Sequence, residues 1–459
     1  MHTDVAALPR ASTSTAGLPG WLRKVGRAPW AFADQALISA TNFFTMILLA
    51  RHLPRREFGD FALVYTGLLL ANSLQAGLIT TAHNVLGATR RGRDYLDYTT
   101  STALAQLGVA IVAALLTAAA ALVAWGAGVG REVAPLLALL APSILAWQLQ
   151  EFSRRVLYTE RRLAAALGND LISYGGQTAG ITVLWATGTL SASRALIALA
   201  VTSALAAAFG AWQLRGSLRG RVDWSLIREN WAFGKWLVGV HLVGIWLSSG
   251  AYFFLCGFLV DAASVGVLWA SQTIFGPTRV FAYVLSSLLP THLSRTLGER
   301  GDRALDAALT KTFRYVIPLL GGYCLLVALC AGPVLRLFYQ DTYADESSVL
   351  VLYCVLTFNI YVNMIIDAAL LAKRLSPLIF SSQLRANLVI LPFGWLAVRA
   401  FGPHGAVLGM IATNLALSVL SWRIYRRSLV PTAGVPPRDA GTGDPESDPR
   451  RSSGGEDAS

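Results

Sequence analysis

Arg279 stands in an apolar run, QTIFGPTRVFAYVLSSLL (272–289), on one helical face with Gln272, Tyr283 and Ser286 and with no acid within a turn or two. An arginine near mid-membrane costs at least ~2.5–3.5 kcal/mol unless it is paired or hydrated. It therefore needs an acid from another segment, such as Asp34, or a wet cavity that periodically holds a phosphate, to which the guanidinium fork is suited. Asn359, Asn363 and Asp367 form a second face at i, i+4, i+8, and Arg385 lies at similar depth beyond the Lys373-Arg374 turn. That pairing reads as an internal ion pair or as a coupling site for an ion or proton. Asp34 in one apolar run, Asn72, Gln75 and His83 in the next, and His241 further on add polar stripes at helical spacing. Polar groups facing lipid are costly, so these stripes face protein or water. They line a groove or join helix to helix, and His83 and His241 read as interior packing. Glu151, Arg154, Arg155, Glu160, Arg161 and Arg162 read as the solvated end of a span, where an incoming anion is also met.

The elements that must hold these residues follow from composition. Apolar residues make up 54% of the chain and charged residues 14%, and mean hydropathy is +0.51, against about 25% charged in a soluble domain. The chain is an all-α polytopic membrane protein. Its net charge of +12 does not point to nucleic acid, because no segment between apolar runs is long enough to fold with a basic face. Cys256, Cys324, Cys330 and Cys354 lie inside apolar runs without C-x-x-C spacing and read as packing residues.

Apolar length and polar breaks give twelve spans, near 30–50, 59–87, 99–124, 133–153, 169–188, 193–213, 233–259, 263–292, 310–333, 347–371, 377–400 and 403–424. Each is a helix, because lipid offers no partner to an open backbone group. Of the 38 Lys and Arg, 29 fall on one side, 7 on the other, and Arg279 and Arg385 inside spans. That bias places both termini in the cytoplasm.

The turn ARHLPRREFGDFALVYT (50–66) puts Arg51, Arg55 and Arg56 on the outer side, against the bias. They cap the hairpin or contact something anionic. LPRREFGDFA (53–62) aligns with VDAASVGVLW (260–269), matching Gly59 to Gly266 207 residues on, and YTERRL (158–163) and LAKRLS (371–376) close two spans alike. Two six-helix lobes are expected, 30–213 and 233–425, joined by a cytoplasmic linker at 214–232. They are flanked by a cytoplasmic segment at 1–29 and a disordered tail at 426–459, rich in Pro, Gly, Ser and acid. Repeat-built transporters place their site between such lobes.

FADQALISATNFFTMILLARHLPRREFGDFALVYT (32–66) and WQLQEFSRRVLYTERRLAAALGNDLISYGGQ (147–177) resemble the polysaccharide-exporter or Wzx-like oligosaccharide-lipid flippase family of the multidrug/oligosaccharidyl-lipid/polysaccharide superfamily. The resemblance extends over about residues 30–427. It implies a V-shaped bundle of twelve helices in a bacterial cytoplasmic membrane. Such a bundle moves polyprenyl-diphosphate-linked oligosaccharide by alternating access for O-antigen, capsule or exopolysaccharide synthesis. On that basis Arg279, Gln272, Tyr283, His241, Asn72, Gln75, His83 and Asp34 are candidate substrate-binding residues, with Asp367 and Arg385 as coupling site or ion pair. A polysaccharide polymerase and assembly proteins are further partners. No catalytic residue, metal or cofactor is expected. The chain has no G-x-x-x-x-G-K-[ST] for ATP hydrolysis. Its drive then comes from a proton or sodium gradient or from the membrane potential, ~2.3 kcal/mol per charge per 100 mV. The alternatives are a cation-coupled multidrug-type antiporter, whose cargo favours an acidic cavity and is opposed by Arg279, and a membrane polysaccharide polymerase or ligase, which needs a sizeable outer loop.

Overall fold

The chain turns where charged residues, glycine and proline interrupt its apolar runs, and between those breaks it is helical. The computed structural model describes residues 28–128, 132–278, 281–282 and 284–429. The terminal segments, Arg279 and Tyr283 lie outside them. The helices are α1 (Ala28–His52), α2 (Arg55–Gly87), α3 (Gly92–Gly126), α4 (Val133–Thr159), α5 (163–186), α6 (Ala192–Gln213), α7 (Trp224–Leu259), α8 (Ala262–Thr273), α9 (Leu289–Leu329), α10 (Ala331–Tyr339), α11 (Ser347–Ala372) and α12 (Ser376–Ser428). A 3₁₀ segment, Gln340–Glu346, joins α10 to α11, and no strand occurs among the described residues.

Nine described runs are long and apolar enough to cross a bilayer, α10 and α11 together forming one of them. The expected count of twelve takes three more crossings: α5, the run that begins at Ala262, and a division of α12. Asn169, Asp170 and Gln177 keep α5 from reading as apolar. At ~1.5 Å per residue, the 53 residues of α12 are about 80 Å long, more than twice a hydrocarbon core of about 30 Å. The break is at Gly402 (φ 56°, ψ −130°), a left-handed conformation that glycine adopts freely, and Pro403 follows it.

Internal repetition is visible in the backbone. Arg161 and Arg374, 213 residues apart, both have φ 59°. Each ends its helix with the same pair of bonds: Arg162 N–H to the Leu157 carbonyl at 2.8 Å and Arg161 N–H to that of Tyr158 at 3.0 Å, answered by Leu375 to Leu370 and Arg374 to Leu371, both at 2.9 Å. The break after α5 at Gly188 (φ 66°) likewise answers the break at Gly402.

The halves meet where α2 crosses α8. A Cβ on Gly59 would stand 1.7 Å from the Ala262 carbonyl oxygen, and one on Gly266 3.1 Å from that of Arg55. Each glycine thus lies against the residue four positions before its counterpart. Phe58, Phe61 and Tyr65 of α2, Trp147 of α4, Trp269 of α8, and Tyr339 and Tyr343 beyond α9 form one buried cluster around this crossing. Leu116, Leu122, Trp125, Leu329 and Phe393 are exposed on the flanks, as a lipid-facing surface requires.

Gly59→Ala should therefore lower the unfolding midpoint of the detergent-purified protein, by the equivalent of about 1–3 kcal/mol of overpacking. Gly322→Ala, in α9 with open space around it, should leave the midpoint unchanged or raise it, since alanine gains about 0.5–1 kcal/mol over glycine within a helix. A Gly59→Ala protein as stable as wild type contradicts the close crossing.

Candidate functional site

Between the halves, α1, α2, α4, α5 and α8 enclose a cavity of about 180 Å³. Its walls are aromatic. Tyr65 stacks on Trp147 at 6.4 Å and meets Trp269 edge to face at 5.5 Å. Trp269 Nε1 donates to Thr66 Oγ1 at 2.9 Å, which fixes the indole within the lining. Ser39, Asn42, Asn72 and Thr273 supply polar groups along the lining. Asn42 and Asn72 are half-buried, and neither amide has a hydrogen-bond partner among the described residues. A neutral cavity of flat rings and open amides suits a polyhydroxylated, uncharged group.

Tyr174 joins this cavity to a buried ionic cluster. It lies one turn after Asp170, within a π-helical segment, Leu171–Gly175, a backbone irregularity frequent at functional sites. Arg154 of α4 donates from Nε to Asp170 Oδ2 at 2.7 Å, from Nη1 to Glu151 Oε2 at 3.1 Å, and from Nη2 to Asp34 Oδ2 at 3.2 Å. Tyr158 Oη also donates to Asp34, and Gln150 Nε2 to Asp170 Oδ1 at 2.9 Å. Arg155, more exposed, pairs with Glu151 at 2.6 Å. One guanidinium therefore ties α1, α4 and α5 together through three carboxylates.

This corrects the reading of 151–162 as a solvated helix end: Glu151 is 4% and Arg154 8% exposed. Only its outer part, Glu160 to Arg162, lies near the surface. The missed signal was the spacing of Glu151, Arg154 and Arg155 at i, i+3, i+4, with Asp170 inside the following span. The aromatic walls were missed because Trp147, Tyr174 and Trp269 look like core in an apolar run.

The remaining candidates are dispersed. Asn72 lines the cavity, and Gln272 is half-buried beside Thr273. Gln75 Nε2 donates to the Gln148 carbonyl at 2.7 Å, and Gln148 Nε2 returns a bond to that of Ala71 at 3.1 Å, locking α2 to α4. His83 stacks on Tyr98 at 5.3 Å with Nδ1 3.0 Å from Thr102 Oγ1. His241 Nδ1 lies 3.1 Å from the Ser73 carbonyl, so α7 is bonded to α2 there. Asp34 meets Arg154, and its expected partner Arg279 lies outside the described residues. Asp367 accepts from Ser421 Oγ at 3.1 Å. Arg385, expected as its ion-pair partner, is exposed in the first part of α12, and no ion pair joins the two among the described residues.

A family described as "Polysaccharide biosynthesis protein" matches residues 48–348. No curated protein sequence matches the chain. Among solved structures, it is similar to the lipid II flippase MurJ in an inward closed conformation (TM-score 0.69, 18% identity, covering 88% of this chain and 87% of that one). It is also similar to an inward-facing multidrug resistance MATE family transporter of the MOP superfamily (TM-score 0.70, 15% identity, 86% and 94%). A third is a MOP superfamily transporter from Pyrococcus furiosus (TM-score 0.61, 14% identity, 88% and 94%). At such identities the likeness establishes the fold, a two-lobed helical membrane bundle.

Arg154→Leu strands three buried carboxylates and should cost about 3–5 kcal/mol, seen as low membrane abundance and a lowered unfolding midpoint. Arg154→Lys, a point charge without the planar fork, should recover part of both. Adding Asp170→Asn to Arg154→Leu removes one of the stranded charges and should recover part of the abundance. An Arg154→Leu protein of normal abundance and midpoint rules out this cluster as a structural tie.

Proposed function

Because the chain belongs to the polysaccharide biosynthesis protein family, we propose that it is a flippase carrying polyprenyl-diphosphate-linked oligosaccharide across the bacterial cytoplasmic membrane. The observation that carries this reading is the cavity between the halves. Trp147 and Trp269 contribute aromatic atoms to its lining against which a sugar ring can pack, and Asn42 and Asn72 offer donors and acceptors to hydroxyls. The polyprenyl tail stays in lipid during the passage. Arg279, six residues beyond Thr273 of the lining, is assigned to the diphosphate, for which a bidentate guanidinium is suited.

In this reading both termini are cytoplasmic, and the lobes 30–213 and 233–425 rock about the cavity so that it opens to one side at a time. The crossing of Gly59 and Gly266 is the closed outer seam. Protons or sodium ions, or the membrane potential acting on the anionic cargo, supply the drive, and a polymerase receives the product. A multidrug antiporter carrying cations is disfavoured by the neutral lining of the cavity.

In the bacterium that makes this protein, Asn72→Ala at wild-type abundance should cut surface-polysaccharide export ~10-fold. That loss corresponds to one cavity hydrogen bond of about 1.4 kcal/mol. Arg279→Ala should abolish export while lipid-linked oligosaccharide accumulates, and Arg279→Lys should retain a part. Normal export by a well-expressed Arg279→Ala protein removes that residue from the mechanism. Loss of drug tolerance with unaltered polysaccharide on deleting the whole protein overturns the assignment in favour of the antiporter.

A further inference from the structure

Arg385 is exposed on the first part of α12 and has neither an ion pair nor a side-chain hydrogen bond among the described residues. It stands at one end of an open groove of about 460 Å³ between the two parts of α12. The groove is otherwise apolar, with Val389 and Ile390 on one wall and Leu415 and Val419 on the other. Val389 is 60%, Leu415 47% and Val419 49% exposed, so the groove faces the bilayer.

Depth can be read from the same helix pair. Trp422, 39% exposed, and Arg426, 5.7 Å from its ring, form the aromatic and cationic girdle expected at a membrane boundary. Arg385 is level with Val419 and Leu420 across the groove, about 3–5 Å inside that girdle at ~1.5 Å per residue. Its Cβ tilts toward the start of its own helix, which is toward the girdle, and its long stem carries the guanidinium to headgroup level. Arg423, also exposed, is one turn beyond Val419 on the facing helix. No carboxylate is paired with either arginine among the described residues.

We infer that this groove binds one anionic membrane phospholipid, its phosphate held by Arg385 and Arg423 and one acyl chain lying along Val389 and Val419. Two guanidiniums without an acid between them favour a net negative headgroup over a zwitterionic one. The excess of Lys and Arg at this end places the site in the cytoplasmic leaflet, where anionic lipids give the surface a negative potential. The inference rests on the lipid-facing geometry and that charge bias, and it is independent of the proposed cargo.

The test is native mass spectrometry of full-length protein purified from membranes of phosphatidylglycerol and phosphatidylethanolamine. Unfolding midpoints are measured alongside, with phosphatidylglycerol, phosphatidylcholine or polyprenyl phosphate added. Wild type should retain one phosphatidylglycerol that phosphatidylcholine does not replace, and its midpoint should rise with phosphatidylglycerol alone. Arg385→Ala and Arg423→Ala should each retain about fivefold less, the equivalent of ~1 kcal/mol per cation near an anionic surface. Arg385→Lys should keep most of the retention, and Arg194→Ala, at the other end of the bundle, all of it. Undiminished retention by the Arg385→Ala/Arg423→Ala protein, equal stabilisation by phosphatidylcholine, or displacement of phosphatidylglycerol by equimolar polyprenyl phosphate each overturns the inference.

Discussion

Gly59 of α2 rests on the Ala262 carbonyl of α8, and Gly266 of α8 lies against the Arg55 carbonyl of α2. In a bilayer the helices gain nothing by hiding leucine from leucine-like lipid, so close backbone approach through small residues must supply association. The rest of this end is arranged around that approach. The ring of Phe58 packs on Tyr343 with centroids 6.4 Å apart, and Trp269 reaches Thr66 because the two helices lie so near. Two of the three arginines that defied the loop bias, Arg55 and Arg56, are occupied here too. Arg55 binds the Thr342 carbonyl and Asp345 in the 3₁₀ segment, Arg56 pairs with Glu132 at 2.9 Å, and Glu57 Oε1 accepts from the Ala192 N–H at 2.8 Å to cap α6. The first turn is thus a junction that pins the starts of α4 and α6 and the 340–346 segment. Arg55 is 34% exposed, and an ion pair of that kind contributes at most about 1 kcal/mol. Strength comes from the glycine crossing and its aromatics, while the ion pairs set register. A seam built this way can part without stranding a deeply buried charge.

The Arg154 cluster works in the opposite sense. Breaking a buried, multiply bonded guanidinium from its carboxylates is expensive, so α1, α4 and α5 behave as one unit in any motion of the protein. The repeat makes this informative. Arg154 stands seven residues before the left-handed Arg161, and Asp367 seven residues before the left-handed Arg374. One backbone position, used twice, carries a cation in one half and an acid in the other. Among the described residues the second half builds no ionic cluster around its acid: Asp367 accepts from Ser421, and Ser418 and Asn359 are joined nearby at 3.4 Å. Hydroxyl donors and buried apolar packing hold that seam.

Much of the fold was legible because lipid enforces it. Apolar length and the glycine and arginine turns are local signals, and the pairings of Gly59 with Gly266 and of 158–163 with 371–376 reappear as equivalent contacts and equivalent caps. The site was legible only in part. A polar stripe on one helix shows that a side chain avoids lipid, and Gln75, His83 and His241 do so, each by bonding a neighbouring helix. The stripe says nothing of the partner, which is decided by how helices distant in sequence cross. Asp34 is 120 residues from Arg154, and no periodicity within either helix reports that they meet. Arg385 shows the same limit from the other direction. Similar depth made Asp367 a plausible partner, but rotation about the helix axis, which depth does not specify, turned the arginine outward to the bilayer. Depth follows from counting residues; azimuth follows from packing, and the chemistry of each intramembrane charge depends on azimuth.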